Sequence, residues 1–165
     1  MTEHSAPADI PDRYRYAVIP HIMVADAAAA IDFYQRAFGA REDFRVEAPG
    51  GGILHAEIAV AGSVLMLGDD IADNDTPGAT ELPSFVPPSS LGGRTSVTLH
   101  VYVPDVDGLV KRAEAAGAEI LQPPTDMFHG NRTAILKDPS GHVWAFLMPL
   151  EDVPQEELSR RLAAE

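Results

Sequence analysis

Two histidines stand in matching phrases, His21 in "HIMVAD" and His100 in "HVYVPD". Each opens an alternating run, and an aspartate follows five places later. Histidine changes charge near neutral pH and is the commonest neutral metal ligand, so a symmetric pair raises two chemistries: metal coordination, or hydrogen bonding to a bound molecule. Strand alternation extends the set. Met23 shares the face of His21, and Tyr102 that of His100. In "HAEI", His55 and Glu57 share a face. Glu57 is the best general-base candidate if apolar neighbours raise its pKa; the alternative is a structural bond to His55 or an arginine. Met66 in "SVLMLGD" adds an adaptable thioether. His129 and Arg132 in "DMFHGNRTA" are expected to border the same region. His142 in "PSGH" reads as a turn residue, and His4 as part of a polar arm. The opposite strand faces, Val18, Ile22 and Val24 in one phrase and Val97, Leu99, Val101 and Val103 in the other, suit packing beneath helices. Trp144 and Phe146 alternate against Ala145 and belong in the core by the same logic.

The elements that must position these residues are written twice. After each phrase comes a helical pattern and then a glycine. Asp26 and Asp105 are placed as N-caps, where a carboxylate accepts the free amides of a first turn. Ile31, Tyr34 and Phe38, flanked by Ala30 and Ala37, recur at helical spacing, as do Val106, Leu109, Val110 and Ala113. Gly39 and Gly117 stand where left-handed C-caps belong. Three strand candidates follow in each half: "REDFRVEAP", "GILHAEIAV" and "SVLMLGD", then "AEILQPP", "NRTAILKD" and "HVWAFLMP". Each half therefore reads strand, helix, strand, strand, strand. The division is a polar arm at 1–15, a first module at 16–70, a Pro/Gly/Ser-rich linker at 71–95, a second module at 96–150 and a helical tail at 151–165 that opens near Pro154. A duplicated half of this size buries its sheet only against the other half or another chain.

Composition narrows the function. With 25 acidic and 12 basic residues the net charge is -13, a field that repels phosphate backbones and argues against nucleic acid as a partner. No apolar run approaches the roughly 20 residues of a membrane span. The absence of cysteine excludes thiolate metal sites and fits a reducing cytoplasm. There is no GxSxG elbow and no phosphate-binding glycine loop.

The phrases "AIDFYQRAFGA", "HAEI", "RAEAAGAEILQPPTDMF" and "DPSGHVWAF" resemble the vicinal oxygen chelate superfamily, which includes glyoxalases, bleomycin-resistance proteins and dioxygenases, and within it the PhnB-like branch. That resemblance implies an α+β fold: two βαβββ modules forming a curved eight-stranded mixed sheet around a cleft, with helices on the outer face, commonly as a homodimer. It also implies metal-ligand positions, which fall here on Ile19, Met66, Thr98 and Ala145. These are poor ligands for zinc, iron or nickel. The expected function is thus metal-free binding of a small, mostly apolar organic molecule by His21, Met23, His55, Glu57, Met66, His100, Tyr102, His129 and Arg132. The alternatives are a metal-dependent lyase, isomerase or dioxygenase with an unusual ligand set (His21, His100 and Glu57), and a structural dimer without ligand.

Overall fold

Aspartate caps and glycine stops set the two main helices. In the computed structural model, which describes residues 9–15, 17–70 and 85–164, α1 spans Ala27–Phe38 and α2 spans Val106–Ala116. The Asp26 carboxylate accepts the Ala29 amide at 2.9 Å, and that of Asp105 accepts the Gly108 amide at 2.8 Å. Gly39 and Gly117 close the helices at φ of 68° and 108°, a region that costs other residues steric strain. Every residue expected on the buried stripes, from Ala30 to Phe38 and from Val106 to Ala113, is buried.

The first module holds β1 (His21–Val24), β2 (Arg41–Glu47), β3 (Ile53–Val60) and β4 (Ser63–Asp69), in the order β1-β4-β3-β2. The second holds β5 (Thr98–Tyr102), β6 (Glu119–Asp126), β7 (Asn131–Lys137) and β8 (Val143–Pro149), in the order β5-β8-β7-β6. In each, the first and last strands are parallel and the other pairs antiparallel. The eight mixed strands thus form two four-stranded sheets, and β1 and β5 are each an edge of their own sheet. A third helix, α3 (Gln155–Leu162), follows Pro154. No helix among the described residues is long and apolar enough to cross a membrane.

One face of each sheet packs beneath helices. Ile22, Val24, Ala56, Ile58, Leu65 and Leu67 supply it in the first module, and Ala134, Leu136, Trp144 and Phe146 in the second. Leu99, Val101 and Val103 pack partly against the same core. Val18 and Val97 depart from the expected apolar face: they precede β1 and β5, lie outside the ladders, and are 97% and 59% exposed. The other face of each sheet, called the open face below, carries the chemistry.

The modules are joined through Asp138, in the turn between β7 and β8. Its buried carboxylate accepts the Tyr34 hydroxyl of α1 at 2.6 Å, the Trp144 indole N–H at 2.9 Å and the backbone amides of Ser140 and His142, both at 2.9 Å. Phe38 packs on Trp144 and Phe146, with ring centroids 5.0 and 4.8 Å away. His142 is more than a turn residue, since its Nε2 lies 2.7 Å from the Met23 carbonyl oxygen in β1. The Ala25 amide donates to the Ser140 hydroxyl at 3.3 Å.

Replacing Asp138 by alanine deprives four donors of their acceptor. The expected loss is about 3–5 kcal/mol in urea unfolding, against about 1–2 kcal/mol for Tyr34→Phe, which leaves three donors in place. Burial, then the Asp138 charge, holds the Tyr34 hydroxyl well above its ordinary value. The folded chain therefore keeps that proton more tightly than the unfolded chain. The associated stability is whole below about pH 10 and falls as pH rises beyond it, and Tyr34→Phe should flatten that alkaline decline.

Candidate functional site

Register aligns the candidates of the first module across three strands. His21 pairs with Met66, and Met66 pairs with Glu57. Met23, beside Gly68, and His55 continue the same open face. A side chain at position 68 would strike the Leu54 carbonyl oxygen, so glycine is required there for β4 to lie against β3. Phe44 pairs with Glu57 and Val46 with His55 on the outer strand. The His21 ring meets His55 edge-on at 5.4 Å, and Phe44 lies 5.7 Å from His55.

Glu57 is the buried centre of this face, at 2% exposure. Its partner is one that sequence reasoning passed over. Residues Asp12–Tyr14 of the N-terminal arm form a 3-10 turn, and the Tyr14 hydroxyl lies 2.6 Å from both carboxylate oxygens. Arg13 Nε lies 3.6 Å from Glu57 Oε2, with its guanidinium carbon 4.3 Å from the centre of the Tyr14 ring. His55 Nε2 lies 3.6 Å from Glu57 Oε1. The Glu57 bond holds the Tyr14 phenol above its ordinary pKa, so it stays a donor at neutral pH. A tyrosine in a polar arm, 43 positions before its partner, carries no periodic signal that would reveal the pair.

The second module repeats the pattern with different residues. His100 pairs with Ala145, and Ala145 with Ile135. Tyr102 pairs with Leu147, and Leu147 with Thr133. The Thr133 hydroxyl is buried without a hydrogen-bond partner among the described residues, a feature that sequence alone did not mark. Between the modules lies a groove of about 690 Å³ whose lining includes Ile19, Pro20 and Leu65 on one side and Thr98, His100 and Tyr102 on the other, with Arg13 reaching into it. The groove and the Glu57 cluster are separate places: His100 and Tyr102 line the first, while His21, His55 and Glu57 gather in the second.

The two remaining candidates sit elsewhere. Arg132 alternates with Thr133 and turns toward the helix layer, where Asp107 of α2 accepts it at 2.7 and 2.9 Å and Asp126 at 2.6 Å. These two carboxylates hold its guanidinium far above the ordinary range. His129 Nδ1 lies 2.9 Å from Asn131 Nδ2, and its ring meets Phe128 edge-on. His4 lies outside the described residues.

A model of the Glyoxalase/Bleomycin resistance protein/Dioxygenase superfamily matches residues 16–146. The chain belongs to that superfamily. It is 39% identical over 149 residues to an uncharacterized protein of Mycobacterium bovis, covering 90% of this chain and 93% of the relative. Among solved structures it resembles TioX from Micromonospora sp. ML1, with 31% identity, a TM-score of 0.60, and coverage of 80% of this chain and 97% of the other. TnmS3, an antibiotic binding protein from Streptomyces sp. CB03234, shares the fold at 22% identity and a TM-score of 0.54, over 88% and 99% of the two chains.

Metal is common in this superfamily, so the donor set decides whether these residues suit one. Isoleucine and alanine at positions 19 and 145 offer no lone pair, while the Met66 thioether and Thr98 hydroxyl are weak ligands for zinc or iron. The alternative set of His21, His100 and Glu57 is not gathered, and the Glu57 carboxylate already accepts the one Tyr14 hydroxyl proton, shared between its two oxygens. Among the described residues no three His, Asp or Glu side chains are grouped to hold a metal. The residues do not fit the group.

Burial first, and the nearby His55 second, lower the pKa of His21. Its neutral form is favoured in the fold. The linked stability is complete above the unfolded value of about 6.5 and is lost as pH falls below it. Urea midpoints compared at pH 7.5 and pH 5 should therefore drop more for the native chain than for His21→Gln.

Proposed function

We propose that this superfamily member binds a small, mostly apolar organic molecule in the groove between its modules, without a metal. The groove itself carries the reading. Its size lies within the usual range for small-molecule pockets, about 300–1,000 Å³. Its walls are largely aliphatic, with the exposed His100 and Tyr102 as the polar and aromatic handles. A neutral imidazole both donates and accepts, which suits a carbonyl or a phenol. TnmS3 supports the reading as a case of the same fold in an antibiotic binding protein. The pairing of "DFYQRAFGA" in the first module with a later "DPSGHVWAF" in the second supports placement in the PhnB-like branch. The working form is a homodimer. Val46 and Leu121 support this, being 46% and 47% exposed, apolar side chains that a second chain would cover.

Protein purified from its native host, denatured and extracted, should release one organic species near one per chain by mass spectrometry. Elemental analysis should find transition metal far below one per chain. About one zinc, iron, nickel or manganese surviving dialysis would overturn the metal-free reading. His100→Gln should weaken rebinding of the released molecule by about 1–3 kcal/mol with the melting temperature unchanged. Light scattering should give the mass of two chains.

A further inference from the structure

Glu57 poses a problem that the groove does not solve. A carboxylate in the middle of a sheet face, almost wholly removed from water, needs donors at both oxygens. Among the described residues its own sheet supplies none closer than the 3.6 Å contact from His55. The short bonds come from the arm, through Tyr14, and the nearby cation from Arg13. The surrounding surface is aromatic: His55, the His21 ring against it, and Phe44 on the outer strand. This face is built for a hydroxyl-bearing aromatic ring with a positive charge beside it, and the chain fills it with a tyrosine and an arginine of its own.

The arm that fills it is lightly held. Its turn spans three residues, and none is buried. Among the described residues, the arm's other side-chain contacts are exposed and run within the arm itself, from Arg15 to the Ile10 carbonyl at 3.0 Å and to Asp12 at 3.2 Å. A short segment with few buried contacts opens at low free-energy cost. The net charge of -13 raises the local concentration of cations and disfavours anions at every open position of the arm.

We propose that the Arg13–Tyr14 pair is an internal ligand, and that the open face of the first module is a second binding site for a small cationic phenol, which displaces the arm to reach Glu57. The site is distinct from the inter-module groove, and Arg13 belongs to both: it stands over Tyr14 at one end and lines the groove at the other. Arrival of a cationic phenol therefore also withdraws an arginine from the groove wall.

The test uses the full-length chain with tyramine, a phenol bearing an ammonium group, and 4-hydroxyphenylacetate, its anionic counterpart. Binding is followed by amide chemical shifts in isotopically labelled protein. Removing an internal competitor raises apparent affinity by the reciprocal of the fraction of time the site stood open, so an arm seated about nine-tenths of the time gives about tenfold. Tyr14→Ala should accordingly bind tyramine about tenfold more tightly than the native chain. Shifts should centre on His21, His55 and Phe44, and adding Glu57→Gln should abolish the gain. 4-Hydroxyphenylacetate should show no comparable gain. In the native chain, tyramine should speed trypsin cleavage after Arg13 and Arg15 by severalfold, because the arm is then released. Equal tyramine affinity in native and Tyr14→Ala chains overturns the proposal, and so do shifts confined to the groove. If Tyr14→Ala does not fold, Tyr14→Phe keeps the ring, removes only the hydroxyl and is judged by the same two outcomes. A molecule that binds the groove equally in the native and Tyr14 variant chains leaves the groove reading standing and sinks this one alone.

Discussion

A single buried carboxylate makes two half-sized sheets into one protein. Asp138 has no water to solvate its charge, so Tyr34, Trp144 and the two amides of its own turn must do so together. Tyr34 belongs to the first module and the other three donors to the second. The cost of stranding that charge fixes how α1 meets β8, and with it the aromatic packing of Phe38 on Trp144 and Phe146. The His142 contact with Met23 follows from the same docking and sets β1 beside the second module. The groove exists because those constraints hold the two modules at a fixed spacing while leaving β1 and β5 as separate edges.

Much of this framework is legible in the sequence because local physics writes it locally. An N-cap aspartate, a 3.6-residue apolar stripe and a stop glycine lie within fifteen residues of one another, and both copies behave as read. Strand alternation likewise places Trp144 and Phe146 beneath helices and His55 with Glu57 on the open face. The failures sit where alternation ends. Val18 and Val97 continue the pattern in writing, but no ladder holds them, so they point into solvent.

The candidate site was less readable, for a physical reason. Partner choice for a buried polar group depends on chain segments that meet only after folding. Glu57 was recognisable as an inward acid, but its partner comes from an arm whose composition reads as polar and irregular. Arg132 sits in a motif that suggested the cleft, yet one residue of phase turns it to Asp107 on the helix side. Asp138 lies in a turn motif, where aspartate is ordinary, and only the tertiary fold reveals how much rests on it. The duplication helped to find the faces but not their chemistry: the line His21, Met66, Glu57 in one module corresponds to His100, Ala145, Ile135 in the other.

The placement of Trp144 has an optical consequence. It is the only tryptophan in the chain, and its indole N–H is bonded to the carboxylate that ties the modules together. Ultraviolet emission excited at the red edge of the absorption band thus arises from one buried ring at the seam. Its colour and intensity gauge whether the halves are seated on each other, while tyrosines at the rim, Tyr14 and Tyr102, stay silent at that wavelength. The molecule carries a native dye at its joint, and a separation of the modules that left each helix and strand intact would still register as a change of light.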